Sequence, residues 1–340
     1  MSQPSERIAL PAAPTTTLVS REAWLAFGAA IVAGSILPMA VTSTLTITLL
    51  TQAVIGGILA TAVGLVMRQA GLVSFGHAAF FGLAGYFIAL PAKHGLWPLE
   101  LSIVLGIGVP TLLAFLLGLV IVRIPGVAFS MLTLAIGQAF HEFAVRAREV
   151  TGGDDGLAIS LPKTVFGVAT ELFQRPQTMF VISWLALVTV LFGLYLLVRS
   201  RFGRVTTAIR ENEERARFLG YQTVVPRALI LAISALIGSI AGMLFALYNG
   251  FISPESLHWS LSGSALIMAI VGGTRLLWGP ALGAIVFFFF KDVAGDLTEH
   301  WPAMIGLMLI VITVALPTGV GGALTKLLDR IRPAGVRRDG

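Results

Sequence analysis

The sequence predicts an all-α integral membrane protein with about ten transmembrane helices, some of them short or broken, since a span needs roughly 20 apolar residues. Two observations carry this reading. Hydrophobic residues make up 56% of the 340 and charged residues 12%, with a mean hydropathy of +0.90, whereas a soluble domain carries about 25% charge. Apolar runs also recur from Trp24 to Val320 with only short breaks, which predicts one polytopic bundle rather than two soluble domains.

The elements follow in chain order. Residues 1–21 are polar with Pro4, Pro11 and Pro14 and read as a cytoplasmic arm before an uncleaved first span. The alternative, a signal peptide, lacks a clean small-residue cleavage site. Spans are expected near 22–41, 44–66, 72–92, 98–122, 127–145 and 177–198. From a cytoplasmic start, these place Arg68 and Arg123 inside and 146–176 outside. That agrees with the positive-inside bias except at Arg146 and Arg148. Further on, 226–249 and 302–320 are spans. The stretch 261–291 is broken at Gly272 and Gly273 and again at Gly279 and Pro280, which predicts two segments of about 13 residues turning at Thr274 to Trp278 on the inner side. Segments that short need shelter among other helices. The transmembrane domain thus covers 22–322, with a charged cytoplasmic segment at 199–226 and a basic cytoplasmic tail at 323–340.

Charge distribution supports this topology and argues against nucleic-acid binding. Of the 23 Lys and Arg, seven lie in the central stretch from Arg199 to Arg227 (Arg199, Arg201, Arg204, Arg210, Arg215, Arg217, Arg227) and five in the tail (Lys326, Arg330, Arg332, Arg337, Arg338). In the central segment Glu211 with Arg215 and Glu213 with Arg217 have helical spacing, so one helix is expected near 204–218. Val205, Ile209, Asn212, Ala216 and Leu219 would form its weakly apolar face. Two readings remain open, a docking helix for a soluble partner and a loop helix resting on lipid.

The absences sort function classes. No cysteine exists for a disulfide or thiolate, and no phosphate-binding loop ending in Lys-Ser or Lys-Thr is present. An enzyme would need a clustered nucleophile and base or a metal set, but the five histidines are scattered. An ion-coupled secondary transporter of a small organic solute is the alternative reading, yet Glu100 and Glu142 fall near span ends and no carboxylate sits centrally.

The segment Ser200-Arg-Phe-Gly-Arg-Val-Thr-Thr-Ala-Ile-Arg-Glu-Asn-Glu-Glu-Arg-Ala-Arg-Phe-Leu-Gly220 resembles the coupling segment of branched-chain amino-acid (Liv-type) permeases of ATP-binding-cassette (ABC) importers. Gly71-Leu-Val-Ser-Phe-Gly-His-Ala-Ala-Phe-Phe-Gly-Leu-Ala-Gly85 resembles the glycine-rich span of that family, and Thr151-Gly-Gly-Asp-Asp-Gly-Leu157 the outer loop of its M-type member. Gly250-Phe-Ile-Ser-Pro-Glu-Ser256 and Gly272-Gly-Thr-Arg-Leu-Leu-Trp-Gly-Pro280 are similar to family segments too, although Arg275 and Leu276 stand where relatives often carry small residues.

The resemblance implies a multi-pass permease subunit of the bacterial inner membrane, not an enzyme, importing branched-chain or related amino acids. Implied partners are a second homologous permease, two ATP-binding subunits and an external substrate-binding protein. ATP would be used by the partner subunits, with no cofactor or metal bound directly. Gly203, Ile209, Arg210, Glu211, Asn212 and Glu213 are the expected ATPase-coupling residues. Asp154, Asp155 and Glu255 are candidates for docking the binding protein, with a tight turn as the other reading of 151–157. His77, Gly272 and Gly273 are candidates for the translocation path. His77 is the ionisable side chain well inside a span, and it equally fits a neutral histidine hydrogen-bonded to a neighbouring helix.

Overall fold

The computed structural model describes residues 21–165 and 167–331. The polar arm over 1–20 and the tail residues Arg332, Arg337 and Arg338 lie outside the described residues. Fifteen helices follow in order. The first seven are α1 (Arg21–Ala40), α2 (Thr44–Ala70), α3 (His77–His94), α4 (Leu99–Ile121), α5 (Gly126–Arg146) and the short α6 (Arg148–Thr151) and α7 (Glu171–Gln174). Next come α8 (Pro176–Arg199), α9 (Arg201–Glu211), α10 (Glu213–Phe218) and α11 (Val224–Asn249). The last four are α12 (Trp259–Gly272), α13 (Gly279–Leu297), α14 (Trp301–Ala315) and α15 (Gly319–Ile331).

The all-α membrane architecture is as expected, and the count of about ten crossings, short and broken segments included, is loose. Length and apolarity together select six helices, α1, α2, α4, α5, α8 and α11, or seven if α14 and α15, bent by 45° at their junction, form one span. The remainder differ for physical reasons. α12 has only 14 residues, about 21 Å at 1.5 Å per residue against roughly 30 Å of hydrocarbon. α13 carries Lys291, Asp292 and Asp296 within its 19 residues. The broken-helix reading of 261–291 stands, with a turn over 273–278, although α13 is longer than expected.

The centre of the bundle is α2. In its most apolar window 78% of residues are buried, against 6% for α1, so α2 is enclosed by the chain and α1 lies at its periphery. Its start is capped by Ser43, whose hydroxyl accepts from the Thr46 amide, and it stops at Gly71. Around it pack α11, α13, α8 and α12, while α3 and α4 pack on α11. Close approach explains the tight packing of α12 on α13. A Cβ on Gly283 would lie 1.9 Å from the Met268 carbonyl oxygen, and one on Gly272 would lie 1.8 Å from that of Gly279. Helix association in lipid rests on such small-residue contacts. Gly273, at φ 94°, turns the chain between α12 and α13, and a side chain there would meet the Thr318 carbonyl.

Short strands close the end of the bundle that carries residues 151–169 and 250–257. β1 (Leu157–Ala158) pairs antiparallel with β4 (Phe251–Ile252), and β2 (Thr164–Val165) with β3 (Val168–Ala169). The two arginines that break the positive-inside pattern are each matched by a carboxylate: Arg146 lies 3.4 Å from Glu142 and Arg148 3.5 Å from Asp154.

Candidate functional site

The central charged segment is two helices, not one. Asn212 leaves helical geometry at φ −156°, ψ 99°, and its side-chain oxygen accepts from the Arg215 amide, which starts α10. A residue of this type competes with the helix backbone and favours a cap. The break corrects the expected helix over 204–218 and separates Glu211 from Arg215. Glu211 pairs instead with Arg210 at 3.7 Å, while the expected pair of Glu213 and Arg217 forms at 2.6 Å.

Between α9 and α10 lies a groove of about 630 Å³, lined in part by Arg201, Arg204, Glu211, Asn212, Arg215 and Leu219. Phe218, Leu219 and Tyr221 are exposed at its end. The expected weakly apolar face, Val205, Ile209, Asn212, Ala216 and Leu219, lines it throughout. Gly203 and Thr206 are buried against the bundle and Ile209 is 1% exposed. A Cβ on Gly203 would lie 2.3 Å from the Leu197 carbonyl oxygen. Of the six expected coupling residues, Arg210, Glu211 and Asn212 are exposed, Gly203 and Ile209 are buried, and Glu213 is partly buried.

Glu213 faces inward. Its carboxylate accepts from Arg217 at 2.6 Å, from Thr223 at 3.0 Å and from Arg227 on α11 at 2.5 Å. Desolvation raises its pKa, but the Thr223 hydrogen bond, the Arg227 charge and the arginine hydrogen bonds outweigh it and hold the carboxyl below its usual value.

A latch that the sequence alone did not single out joins α9 to α2. The Gln69 side-chain oxygen accepts from Thr206 at 2.9 Å and Thr207 at 3.1 Å, and Arg210 donates to the Arg68 carbonyl at 2.5 Å. Arg68 in turn donates to the Arg275 carbonyl in the 273–278 turn, also at 2.5 Å. The one sequence signal for it is a polar pair, Arg68 and Gln69, at the end of an otherwise apolar span.

On the opposite side of the bundle, Thr151 to Leu157 and Gly250 to Ser256 form one assembly. Leu157 pairs with Ile252 through β1 and β4, and a side chain on Gly156 would lie 2.5 Å from the Ile252 carbonyl oxygen. Asp154, Asp155 and Glu255 are all exposed on it. Below the assembly, a cavity of about 590 Å³ lies among α2, α3, α11, α12 and α13.

The path candidates are enclosed by protein. His77 is fully buried, with its Nε2 2.6 Å from the Ser234 hydroxyl, which donates to the Ala62 carbonyl at 2.6 Å. Because that hydroxyl has one hydrogen, its oxygen accepts from His77, whose Nε2 carries the hydrogen. None of His77, Gly272 and Gly273 lines the outer cavity.

Residues 45–314 match the family described as branched-chain amino acid transport system, permease component. The chain belongs to this family. It is therefore an ABC transporter permease, a multi-pass membrane protein and not an enzyme. The LivM permease protein of the high-affinity branched-chain amino acid transport system of Salmonella typhimurium is 26% identical over 287 residues, covering 77% of this chain and 67% of the relative. Its Escherichia coli counterpart is 26% identical over 302 residues, covering 81% and 69%. The autoinducer 2 import system permease protein LsrC of Escherichia coli is 31% identical over 134 residues, 38% of this chain and 39% of the relative. No solved structure matches the permease.

Proposed function

We propose that this permease is the M-type subunit of an importer that moves branched-chain or related amino acids inward, pairing with a second homologous permease. Two ATP-binding subunits would supply the energy, and an external binding protein would deliver the substrate. The relatives matched over most of the chain are named for branched-chain amino acid transport, and that observation carries the substrate class.

The α9–α10 groove is the proposed contact for the ATP-binding subunits. It presents Glu211 and Asn212 on its exposed side, with Arg210 exposed beside it, while Gly203, Ile209 and Glu213 fix its shape. Closure of the ATP-binding subunits would press on this element. The Gln69 latch and Arg68 would carry the displacement to α2 and to the turn beside Gly272 and Gly273. Asp154 and Asp155 form the proposed landing area for the binding protein, on the side where Leu157 and Ile252 pair. His77 holds α3 to α11 through Ser234.

Reconstitution of the assembled transporter in proteoliposomes tests this. ATP inside and binding protein outside should give accumulation of labelled leucine, isoleucine or valine. Accumulation of none of the three, or equal uptake from an ion gradient without ATP, overturns it.

A further inference from the structure

The outer cavity combines features that the coupling groove lacks. Its walls are apolar, formed in part by Ile55, Leu59, Phe81, Phe245, Met268 and Phe288. Two side chains of opposite formal charge share its lining, Glu255 from the turn Pro254–Leu257 and Lys291 from α13. At about 590 Å³ it falls within the range of roughly 300–1,000 Å³ typical of small-molecule sites.

Neither charge is neutralised. Among the described residues, Glu255 and Lys291 form no ion pair with each other or with another side chain. Lys291 has its Nζ 4.7 Å from the centre of the Trp301 ring. A ring face attracts an ammonium without cancelling its charge, so Lys291, which lines the cavity although Trp301 does not, stays available to an anion. The neighbouring Gln52, Asn249 and Ser253 add uncharged polar groups to the lining. A simple apolar solute has no use for two opposed charges, and an anion or a cation alone would meet one like charge. A molecule that bears an ammonium and a carboxylate on one carbon, with an apolar remainder, matches all three features.

We propose that this cavity receives a zwitterionic α-amino acid with an apolar side chain, its ammonium against Glu255, its carboxylate against Lys291 and its side chain among Leu59, Phe81 and Met268. The site rests on the import reading above and assigns the first contacts of the substrate within this subunit. It also gives Glu255 a role other than binding-protein docking.

The test uses the assembled transporter in proteoliposomes with labelled L-leucine as probe, and compares wild type with Glu255→Gln and Lys291→Met. Leucine uptake should fall about tenfold or more in each variant, the effect expected for losing one hydrogen-bonded charge. Stimulation of ATP hydrolysis by the binding protein should persist. Excess unlabelled leucinamide, which lacks the carboxylate, should compete poorly in wild type and relatively better in Lys291→Met. Ala265→Trp, which fills the cavity, should also block uptake while the complex still assembles by size-exclusion chromatography. Wild-type leucine uptake with near-normal uptake in both charge variants overturns the site. Loss of stimulated ATP hydrolysis in Glu255→Gln also overturns it, and assigns Glu255 to docking. A wild type that takes up no leucine overturns the import reading itself.

Discussion

Arg227 at the start of α11 donates to Glu213 at 2.5 Å across 14 residues of chain, tying α10 to the membrane bundle. The Arg227 side chain is 12% exposed and that of Glu213 27%, so water screens the pair less than a surface ion pair. Two carboxylates two residues apart therefore do different work: Glu213 sets the angle of α10, and Glu211, 68% exposed, makes a loose surface pair with Arg210 at 3.7 Å that a partner can displace.

Glu213→Gln should lower the stability of the purified subunit by about 1–3 kcal/mol, since it weakens charged hydrogen bonds and leaves Arg227 poorly matched. Glu211→Gln should leave stability unchanged and reduce ATP-driven uptake in the assembled transporter. Thermal unfolding in detergent, followed by uptake at matched folded protein, separates the two. Equal unfolding temperatures for both variants would remove the distinction drawn here.

The same carboxylate predicts a pH dependence. Its folded pKa lies below the ordinary value of 4.5, so its contribution is fully present above about pH 5 and is lost as pH falls through the lower folded value. Wild type should thus lose stability on acidification in a step that Glu213→Gln lacks. Unfolding curves collected from pH 7 downward for both proteins provide the measurement.

Span positions were legible because lipid demands apolar length, and the expected span at 44–66 became α2 at 44–70. The break at Gly272 was legible as paired glycines ahead of Gly279 and Pro280. Asn212 was misread because the charge spacing of Glu211 with Arg215 fits a continuous helix. The competing signal was local: an Asn followed by Glu213 and Glu214 is a helix start, with acids in the first turn. The outer cavity was not legible, since Gln52, Glu255 and Lys291 meet only through tertiary packing. Polar residues at helix ends show no periodicity that foretells their neighbours.

The hydrogen bonds of His77 predict a packing role. Ser234→Ala leaves the His77 Nε2–H and the Ala62 carbonyl without their partner in a buried site, which should cost about 1–3 kcal/mol of stability. Uptake per folded transporter should stay near wild type, and its pH profile should not move. A shifted profile in Ser234→Ala would assign His77 to the transport step instead.

The latch between α9 and α2 supplies a test of how force enters the membrane domain. Thr206 donates to Gln69 in a buried contact, and Thr206→Val keeps shape while removing that hydrogen bond. Thr207 still reaches the same Gln69 oxygen at 3.1 Å, so the single change should weaken the latch, and Thr206→Val with Thr207→Val should release it. The ATP-binding subunits should still dock, because neither threonine lines the α9–α10 groove. ATP hydrolysis should therefore continue while leucine uptake falls several-fold, raising the number of ATP molecules hydrolysed per solute imported. Gln69→Glu offers the complementary case: a carboxylate accepts from both threonines and adds an attraction to Arg210, so coupling should survive. If the double valine variant keeps the wild-type ratio of hydrolysis to uptake, force enters the bundle elsewhere, and the contacts of Glu213 with Arg227 become the route to examine.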